Sequence, residues 1–343
     1  MKKKFEAKNS LFNVCLVAVC SFVGVGFISG AEIWFYFARF GKIGLLFGVF
    51  VFGLLIFVLS GFAFREKQEN DLKLNRVKTK ILIVSELAVA SAMVSGLMQT
   101  TRTFFEKWWI LVFVSSILLL IILFFSEKKS FVIYNYFVAI FVVFVIVSLF
   151  CFNNNNIGQN GVVLQRNFSI KNVVLSILFA CIYVFMNVSE IRPILEKNKD
   201  KFSKKEKIIS SFCLSGILVL LVFMLSIVLL KNNDITKYDM PFLICFKTGG
   251  GVKLFVFLIG LVLTMISTAD ACLIGVKDKL SFIKKDENFI KIIVILSSLI
   301  LGQISFRFFI KIVYPILAIL NFLVFMFEVF EMRNICKIKN IKK

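Results

Sequence analysis

Residues 23–33 read VGVGFISGAEI and lie inside the first long apolar run of the chain. Three glycines in seven residues weaken a helix by roughly 1 kcal/mol each relative to alanine. Inside a bilayer, a weakened helix exposes backbone amides and carbonyls, which is tolerated only where they line a cavity. The stretch therefore predicts a membrane helix that is interrupted around a polar site. The alternative is close helix packing, because Gly26 and Gly30 also form a G-x-x-x-G contact motif.

The rest of the chain is unusually apolar as well. Hydrophobic residues make up 59% of the 343 residues, whereas soluble domains contain about 45–50%. A membrane helix needs about 20 apolar residues, and ten runs approach that length. These runs lie at 11–38, 44–64, 81–101, 108–125, 131–152, 172–195, 209–230, 251–275, 288–306 and 309–330.

The basic residues cluster in the connections between these runs. If the N-terminus lies inside, the inner connections hold more than twice as many Lys and Arg as the outer ones, which is the usual bias of membrane proteins. The net charge of +21 is thus a signal of topology, and no nucleic-acid partner is expected. We expect an all-α, multi-pass protein of a bacterial plasma membrane, surrounded by the lipid bilayer, with both termini inside. Its parts are an N-terminal tail (1–10), one transmembrane domain (11–330) and a basic tail (331–343).

Intramembrane enzyme chemistry is disfavoured by the composition. The chain has no His, and none of its eight cysteines forms a C-x-x-C pair. Rhomboid-like chemistry needs a Ser–His pair, and zinc proteases need His ligands. We therefore expect no enzyme activity and no bound transition metal, and the carboxylates remain as the ordinary proton carriers.

Four carboxylates interrupt the apolar runs, namely Glu32, Glu86, Glu190 and Asp270. A charge at the bilayer centre costs at least ~2.5–3.5 kcal/mol, so such residues normally face a bundle interior or a wet cavity. Glu32 and Asp270 are candidates for cation or proton coupling. For Glu86 and Glu190, which lie near the inner ends of their runs, an ion pair or a snorkelling side chain is an equal alternative.

The sixth run resembles the first. Residues 183–193 read YVFMNVSEIRP, and the segment 187–191 aligns with the segment 29–33, including the shared Glu-Ile. Pro193 cannot donate a backbone hydrogen bond, so we expect this helix to be interrupted too. Runs one and six begin two sets of five, and an odd number inverts the second set in the membrane. The pattern predicts a five-plus-five inverted repeat, with halves at about 11–152 and 172–330, as in many secondary transporters.

The eighth run carries hydroxyl groups next to an acidic residue. Thr264, Ser267 and Thr268 precede Asp270. Such hydroxyls, together with carbonyls of an unwound helix, predict an oxygen site for Na⁺. The alternative is that each hydroxyl bonds to a carbonyl of its own helix.

These stretches resemble a known family. Residues 24–41, with GVGFISGAEI followed by Phe37-Ala38-Arg39-Phe40-Gly41, look like the first helix of the YkvI-type membrane proteins, which are similar to LeuT-fold, amino acid–polyamine–cation transporters. Residues 183–187 resemble the sixth helix of this group, and residues 267–275 are a weaker likeness of its eighth. The chain has Ala31 where the family usually has Gln.

The resemblance implies a substrate held by the first and sixth helices and a Na⁺ ion between the first and eighth. On this chain, the implied substrate-binding residues are Gly24, Gly26, Ser29, Gly30, Glu32, Tyr183 and Asn187. The implied ion-coupling residues are Val23, Ser267, Thr268 and Asp270.

Two functions fit these observations. The first is a secondary transporter of a small solute, such as an amino acid or related zwitterion, that works by alternating access coupled to Na⁺ or H⁺. The second is a ligand-sensing receptor subunit that uses the same fold without net transport, similar to the spore-germination permease-like proteins.

Overall fold

The apolar runs form helices, as expected for segments whose backbone polar groups cannot hydrogen bond to lipid. The structure, a computed structural model, describes residues 2–64, 72–102, 110, 128–153, 169–280 and 287–341. Within these ranges the chain contains no β-strand. The protein is an all-α membrane protein.

Most of the described residues lie in helices. In chain order they are α1 (Lys2–Phe22), α2 (Val25–Ile28), α3 (Ala31–Tyr36), α4 (Gly41–Ala63), α5 (Leu72–Arg102), α6 (Lys128–Asn153), α7 (Ile170–Lys197), α8 (Lys204–Lys231), α9 (Pro241–Thr248), α10 (Gly251–Leu280), α11 (Glu287–Leu301), α12 (Phe306–Phe308) and α13 (Tyr314–Ile341). Short 3₁₀ segments lie at Ala38–Phe40, Lys199–Lys201 and Asn233–Lys237, and a π-helical segment, Phe309–Val313, joins α12 to α13.

The observed helices agree with the predicted runs. Every predicted run except the fourth overlaps a described helix, and the fourth, at 108–125, lies outside the described residues apart from Ile110. Among the described residues, six stretches are long and apolar enough to cross a bilayer: Ala31–Ala63, Val77–Arg102, Ile170–Lys197, Lys204–Lys231, Gly251–Ala269 and Phe306–Phe330. The apolar helices Leu11–Phe22 and Asn135–Cys151 are shorter.

The outer surface of the bundle is apolar. Leu46, Phe50 and Leu54 on α4, Phe212 on α8 and Phe255 on α10 are all more than half exposed. Such a continuous apolar exterior is unsuitable for water and is what a lipid environment covers. Other large aromatic side chains, including those of Tyr36, Tyr183 and Tyr314, are buried between the helices.

Helix α7 differs from its prediction. The sequence predicts an interruption near Pro193, but α7 is continuous over Ile170–Lys197 with Pro193 inside it. Because Pro193 lies near the helix end, it removes only the donor to the Ser189 carbonyl. Further upstream, the Asn321 side-chain amide on α13 donates to the Phe185 carbonyl with an N–O distance of 3.0 Å, and so holds the helix from outside. The prediction of two broken helices is therefore wrong for the second one.

Charged side chains tie three helices together at one end of the bundle. Arg192 on α7 forms ion pairs with Glu196, where the Nε–Oε1 distance is 2.5 Å, and with Glu328 on α13. Lys78 on α5 also pairs with Glu328. These side chains are largely buried, so the network is screened less by salt than a surface pair and holds this end closed.

Close packing of α10 on α6 leads to a testable prediction. A Cβ atom at Gly260 would lie 1.9 Å from Cδ2 of Phe141, whereas one at Gly216 on α8 would meet nothing within 4 Å. Gly260→Ala should therefore destabilise the protein by about 1–3 kcal/mol through overpacking. Thermal unfolding in detergent would measure this change.

The matched control is Gly216→Ala, which adds the same methyl group in an open part of a helix. It should be neutral or stabilising by up to about 1 kcal/mol, because alanine favours the helix more than glycine does. Equal unfolding midpoints for the two variants would contradict the packing of α10 on α6.

Candidate functional site

The first membrane span is broken where the glycines are concentrated. Helix α1 ends at Phe22, and Gly24 adopts an extended conformation before α2 begins. The Gly24 amide donates to the Phe22 carbonyl at 3.0 Å instead of to the residue four positions earlier. Regular bonding resumes when Ile28 donates to the Gly24 carbonyl at 3.1 Å. Among the described amides none donates to the Val23 carbonyl, although Val23 is fully buried. This confirms the predicted interruption of the first span.

A second turn follows at Ser29 and Gly30. Gly30 has φ +81°, in the left-handed region where a side chain is strained, and α3 starts immediately after it. The Ser29 hydroxyl donates to the Gly26 carbonyl at 3.2 Å, while the Ser29 carbonyl accepts from the Phe242 amide of α9 at 2.9 Å. A Cβ atom at Gly30 would lie 2.9 Å from the Phe242 ring. Helix α9 thus packs over this turn, and its Phe242 amide donates to the Ser29 carbonyl.

The carboxyl group of Glu32 occupies the space inside this break. Glu32 is only 3% exposed, and a Cβ atom at Gly26 would lie 1.9 Å from its Oε1. The Tyr183 hydroxyl on α7 donates to Oε2 with an O–O distance of 2.8 Å. Tyr314, the first residue of α13, also interacts with this carboxyl group. Glycine at position 26 is therefore needed for Glu32 to reach the two tyrosines.

Aromatic rings surround the Glu32–Tyr183 pair. The Tyr183 ring lies 5.0 Å from Tyr36, 5.3 Å from Phe37 and 5.6 Å from Phe22, measured between centroids. The Tyr36 hydroxyl donates to the Ile310 carbonyl at 2.7 Å, within the π-helical segment that precedes α13. Such π-helical segments leave carbonyls without their usual partner and occur often at functional sites. The carboxyl group thus lies in an aromatic enclosure built by α1, α3, α7 and the segment that leads into α13.

The hydroxyl groups of Thr264, Ser267 and Thr268 on α10 have different surroundings. Thr268 is fully buried next to the break, 3.6 Å from where a Gly24 Cβ would lie, and its Oγ1 has no hydrogen-bond partner among the described atoms. The Ser267 hydroxyl instead donates to Oδ1 of Asn135 on α6 at 3.0 Å. Thr264 bonds to the carbonyl of Leu261 in its own helix at 2.8 Å. The structure therefore brings Thr268 to the first span, and it directs Ser267 and Thr264 elsewhere.

Two further predicted residues have other positions. The side-chain amide of Asn187 donates to the Tyr183 carbonyl of its own helix at 2.9 Å, so it stabilises α7 locally. The side chain of Asp270 lies outside the described residues. Neither residue contributes an observed contact to Glu32.

Glu86 and Glu190 extend the site toward the end of the bundle that carries the Arg192 network. Glu86 on α5 is 1% exposed and forms an ion pair with Lys279 on α10, as the ion-pair interpretation predicted. Glu190 is 6% exposed and, among the described side chains, forms neither a hydrogen bond nor an ion pair. Its electrostatic neighbours are Glu32 and Glu86.

Sequence reasoning missed three polar residues of this region. Tyr314 interacts with Glu32, Asn135 accepts from Ser267, and Asn321 donates to the Phe185 carbonyl of α7 and accepts from Ser85 at 3.0 Å. Each is a lone polar residue inside an apolar run, which is itself a signal of an interior position. Among the described residues, no group of three or more Cys, Asp or Glu side chains is arranged to hold a metal ion.

A comparison with known protein families finds no match for this chain, and neither does a comparison with curated proteins. The class that the fold defines is therefore the coarse one, an all-α membrane protein. Any finer assignment depends on the geometry of the site.

The contact between Gly26 and Glu32 yields a double-mutant prediction. Gly26→Ala should cost about 1–3 kcal/mol in the wild-type background, because its new methyl group displaces the Glu32 carboxyl group. In a Glu32→Ala background the same substitution should cost less than about 1 kcal/mol, since its clashing partner is absent. Thermal unfolding of the four proteins would give both values.

Gly24→Ala is the control for helix propensity at the break. Its Cβ atom would lie 3.2 Å from the flexible Met93 methyl group and 3.6 Å from Thr268 Oγ1, which is an ordinary contact distance, so its cost should be small in both backgrounds. An equal cost of Gly26→Ala with and without the Glu32 carboxyl group would show that Glu32 does not occupy the break.

Proposed function

We propose that the protein is a secondary transporter of a small solute, such as an amino acid or related zwitterion, that works by alternating access coupled to Na⁺ or H⁺. The observation that carries the proposal is the break in the first membrane span, with the buried Glu32 carboxyl group inside it. An unsatisfied backbone and a carboxyl group in mid-membrane are costly, and membrane proteins keep such features where solutes or ions bind.

The packing of the helices supports a five-plus-five inverted repeat. If α1, α4 and α6 of the first half correspond to α7, α8 and α13 of the second, contacts should occur in exchanged pairs. Helix α4 packs on α7, and its counterpart α8 packs on α1. Helix α6 packs on α1, and its counterpart α13 packs on α7. This reciprocity is what a ten-helix arrangement with the fourth span at 108–125 requires.

Alternating access needs a closure on each side of the site, and two closures of different chemistry support it. On one side, α9 covers Gly30, and Asp239 just before α9 pairs with Arg307, with an Nε–Oδ1 distance of 2.5 Å. Asp239 also accepts from Gln99 on α5 at 3.2 Å. On the other side lies the Arg192 network. In the proposal, opening one closure at a time exposes the broken span to one face of the membrane.

Transport is tested directly with purified protein in proteoliposomes and a panel of labelled L-amino acids. Gly30→Ala should lower counterflow of the accepted solute by at least about tenfold, because a left-handed alanine alone costs ~1–2 kcal/mol and also meets the Phe242 ring. Gly250→Ala is the matched control, since Gly250 also has a positive φ, +104°, but open space around it.

Equal loss in the two glycine variants would mean that transport does not depend on the broken span. If an amino acid raises the unfolding temperature but does not enter the vesicles, transport is contradicted and the receptor alternative is favoured.

A Na⁺ ion fits one part of the site. The Thr268 hydroxyl lacks a partner, and the Val23 carbonyl accepts no hydrogen bond from a described amide, so both oxygens are available as hard ligands next to Gly24. When bound, Na⁺ would supply a positive charge that ties α1 to α10. Val23 and Thr268 would hold it, while Ser267 is already bonded to Asn135.

If Na⁺ binds at Thr268, removing the Ser267 hydroxyl and removing the Thr268 hydroxyl should have different effects on the response to Na⁺. Replacing KCl by NaCl should raise the unfolding temperature of the wild type and of Ser267→Ala, because a bound ion stabilises the folded state. Thr268→Val keeps the shape of the side chain but removes the oxygen, and should abolish that rise. A Na⁺ response that persists in Thr268→Val would exclude this ion site.

A further inference from the structure

Three buried carboxyl groups form a row from the break toward one end of the bundle. Glu32 lies in the break, Glu190 lies on α7, and Glu86 lies on α5, with exposures of 3%, 6% and 1%. Tyr183 and Glu190 are seven residues apart on one helix, so they share a face and are separated by roughly 10 Å along its axis. The row therefore leads from Tyr183, which contacts Glu32, to Glu190 and on toward Glu86.

The groups around Glu32 are uncharged hydroxyls. Tyr183 donates to it at 2.8 Å, Tyr314 interacts with it, and the Tyr36 hydroxyl is used by the Ile310 carbonyl. The nearby cation is Arg39, beyond the end of α3. Its guanidinium lies over three aromatic rings, with centroid distances of 4.1 Å to Phe35, 4.3 Å to Phe179 and 4.8 Å to Phe40.

The groups around Glu190 are acidic or neutral. Two carboxyl groups, those of Glu32 and Glu86, interact with it electrostatically. Its other electrostatic neighbours are the side chains of Tyr183, Tyr314 and Cys272. Arg192 follows two residues later but forms its ion pairs with Glu196 and Glu328. Among the described side chains, no cation is thus paired with Glu190.

At the far end of the row, Glu86 has a cationic partner. Lys279 of α10 pairs with it and is 18% exposed at its side chain, so this pair is the part of the row nearest to solvent. The Glu86 carboxyl group lies directly against Gly275, where a Cβ atom would be 2.4 Å from Oε1. Cys272, one turn earlier on α10, is buried and interacts electrostatically with both Glu190 and Glu86. The described row contains three carboxyl groups and one ammonium group.

We propose that Glu32 and Glu190 each hold a proton in the interior, that the Glu86–Lys279 pair exchanges these protons with solvent, and that proton movement along this row drives the transport proposed above. The inference rests on that proposed function and makes the proton the ion whose movement drives transport, while the Na⁺ proposed at Thr268 stabilises the broken span. In each step an O–H bond breaks on one carboxyl group and forms on the next. Glu32 first releases its proton through the opened closure at α9, Glu190 then passes its proton to the emptied Glu32, and a proton that has entered at Glu86 replaces the one on Glu190. The Tyr183 hydroxyl, which already donates to Glu32, orients the receiving oxygen.

Infrared spectroscopy of the full-length protein in lipid vesicles tests the protons themselves, without any solute. At pH 7 the wild type should show absorbance from protonated carboxyl groups that shifts in D₂O. Glu32→Gln and Glu190→Gln should each remove one part of this absorbance, and the double variant should remove both parts. Glu190→Asp should restore a carboxyl signal, which a merely structural role of Glu190 would not require.

Glu206→Gln is the matched control, because Glu206 is an exposed carboxylate that caps α8 through Ser203. It should leave the protonated signal unchanged. A wild type without protonated carboxyl absorbance at pH 7 overturns the inference even if a variant fails to fold, and so does a signal that survives in the double variant.

A pH jump on vesicles adsorbed to a solid-supported electrode tests the route. The wild type should give a transient current, Glu190→Gln should abolish it, and Glu86→Gln should slow it. Unchanged currents in both variants would contradict the row as a path. If the infrared spectra show no protonated carboxyl groups but amino acids still enter the vesicles, the inference fails and the proposed transport stands. If protons are present but no amino acid enters, the proposed transport fails instead.

Discussion

The hydrogen bond from the Tyr183 hydroxyl to the Glu32 carboxyl group, 2.8 Å long, is the interaction on which the interior depends. It joins the broken first span to the continuous helix α7, and it satisfies a carboxyl group that would cost at least ~2.5–3.5 kcal/mol if left charged and alone in mid-membrane. Gly26 makes the bond possible by leaving room for the carboxyl group, and Tyr314 at the start of α13 also interacts with this carboxyl group. Three parts of the sequence that are far apart thus meet at one polar point.

The same rule explains the other irregular parts of the backbone. Wherever a helix is interrupted inside the bilayer, its freed groups need partners from elsewhere in the protein. The Ser29 carbonyl obtains the Phe242 amide, and the Ile310 carbonyl of the π-helical segment obtains the Tyr36 hydroxyl. The Val23 carbonyl and the Thr268 hydroxyl are exceptions within the described residues, and this observation supports the Na⁺ site that we propose.

Much of the fold follows from local sequence, because a run of apolar residues long enough to cross a bilayer must become a helix. The interruption at Gly24–Gly30 was also predictable, since three glycines in one turn-rich stretch lower the cost of unwinding. Pro193 misled the prediction for the sixth span. A proline near the end of a helix removes only one internal hydrogen bond, and the side chain of Asn321, which holds this helix from outside, comes from a segment far away in sequence.

The sequence by itself determined that the chain is helical, apolar on its outside and weakened at one point of its first span, because composition and glycine content act locally. Only the tertiary structure decided which polar groups meet. In the folded protein Ser267 donates to Asn135, whereas Thr268 lies beside the break. Glu86 forms an ion pair with Lys279, whereas Glu190 has acidic electrostatic neighbours. Such pairings depend on the rotation and depth of whole helices relative to one another, which are set by packing between distant segments and not by the residues adjacent in the chain.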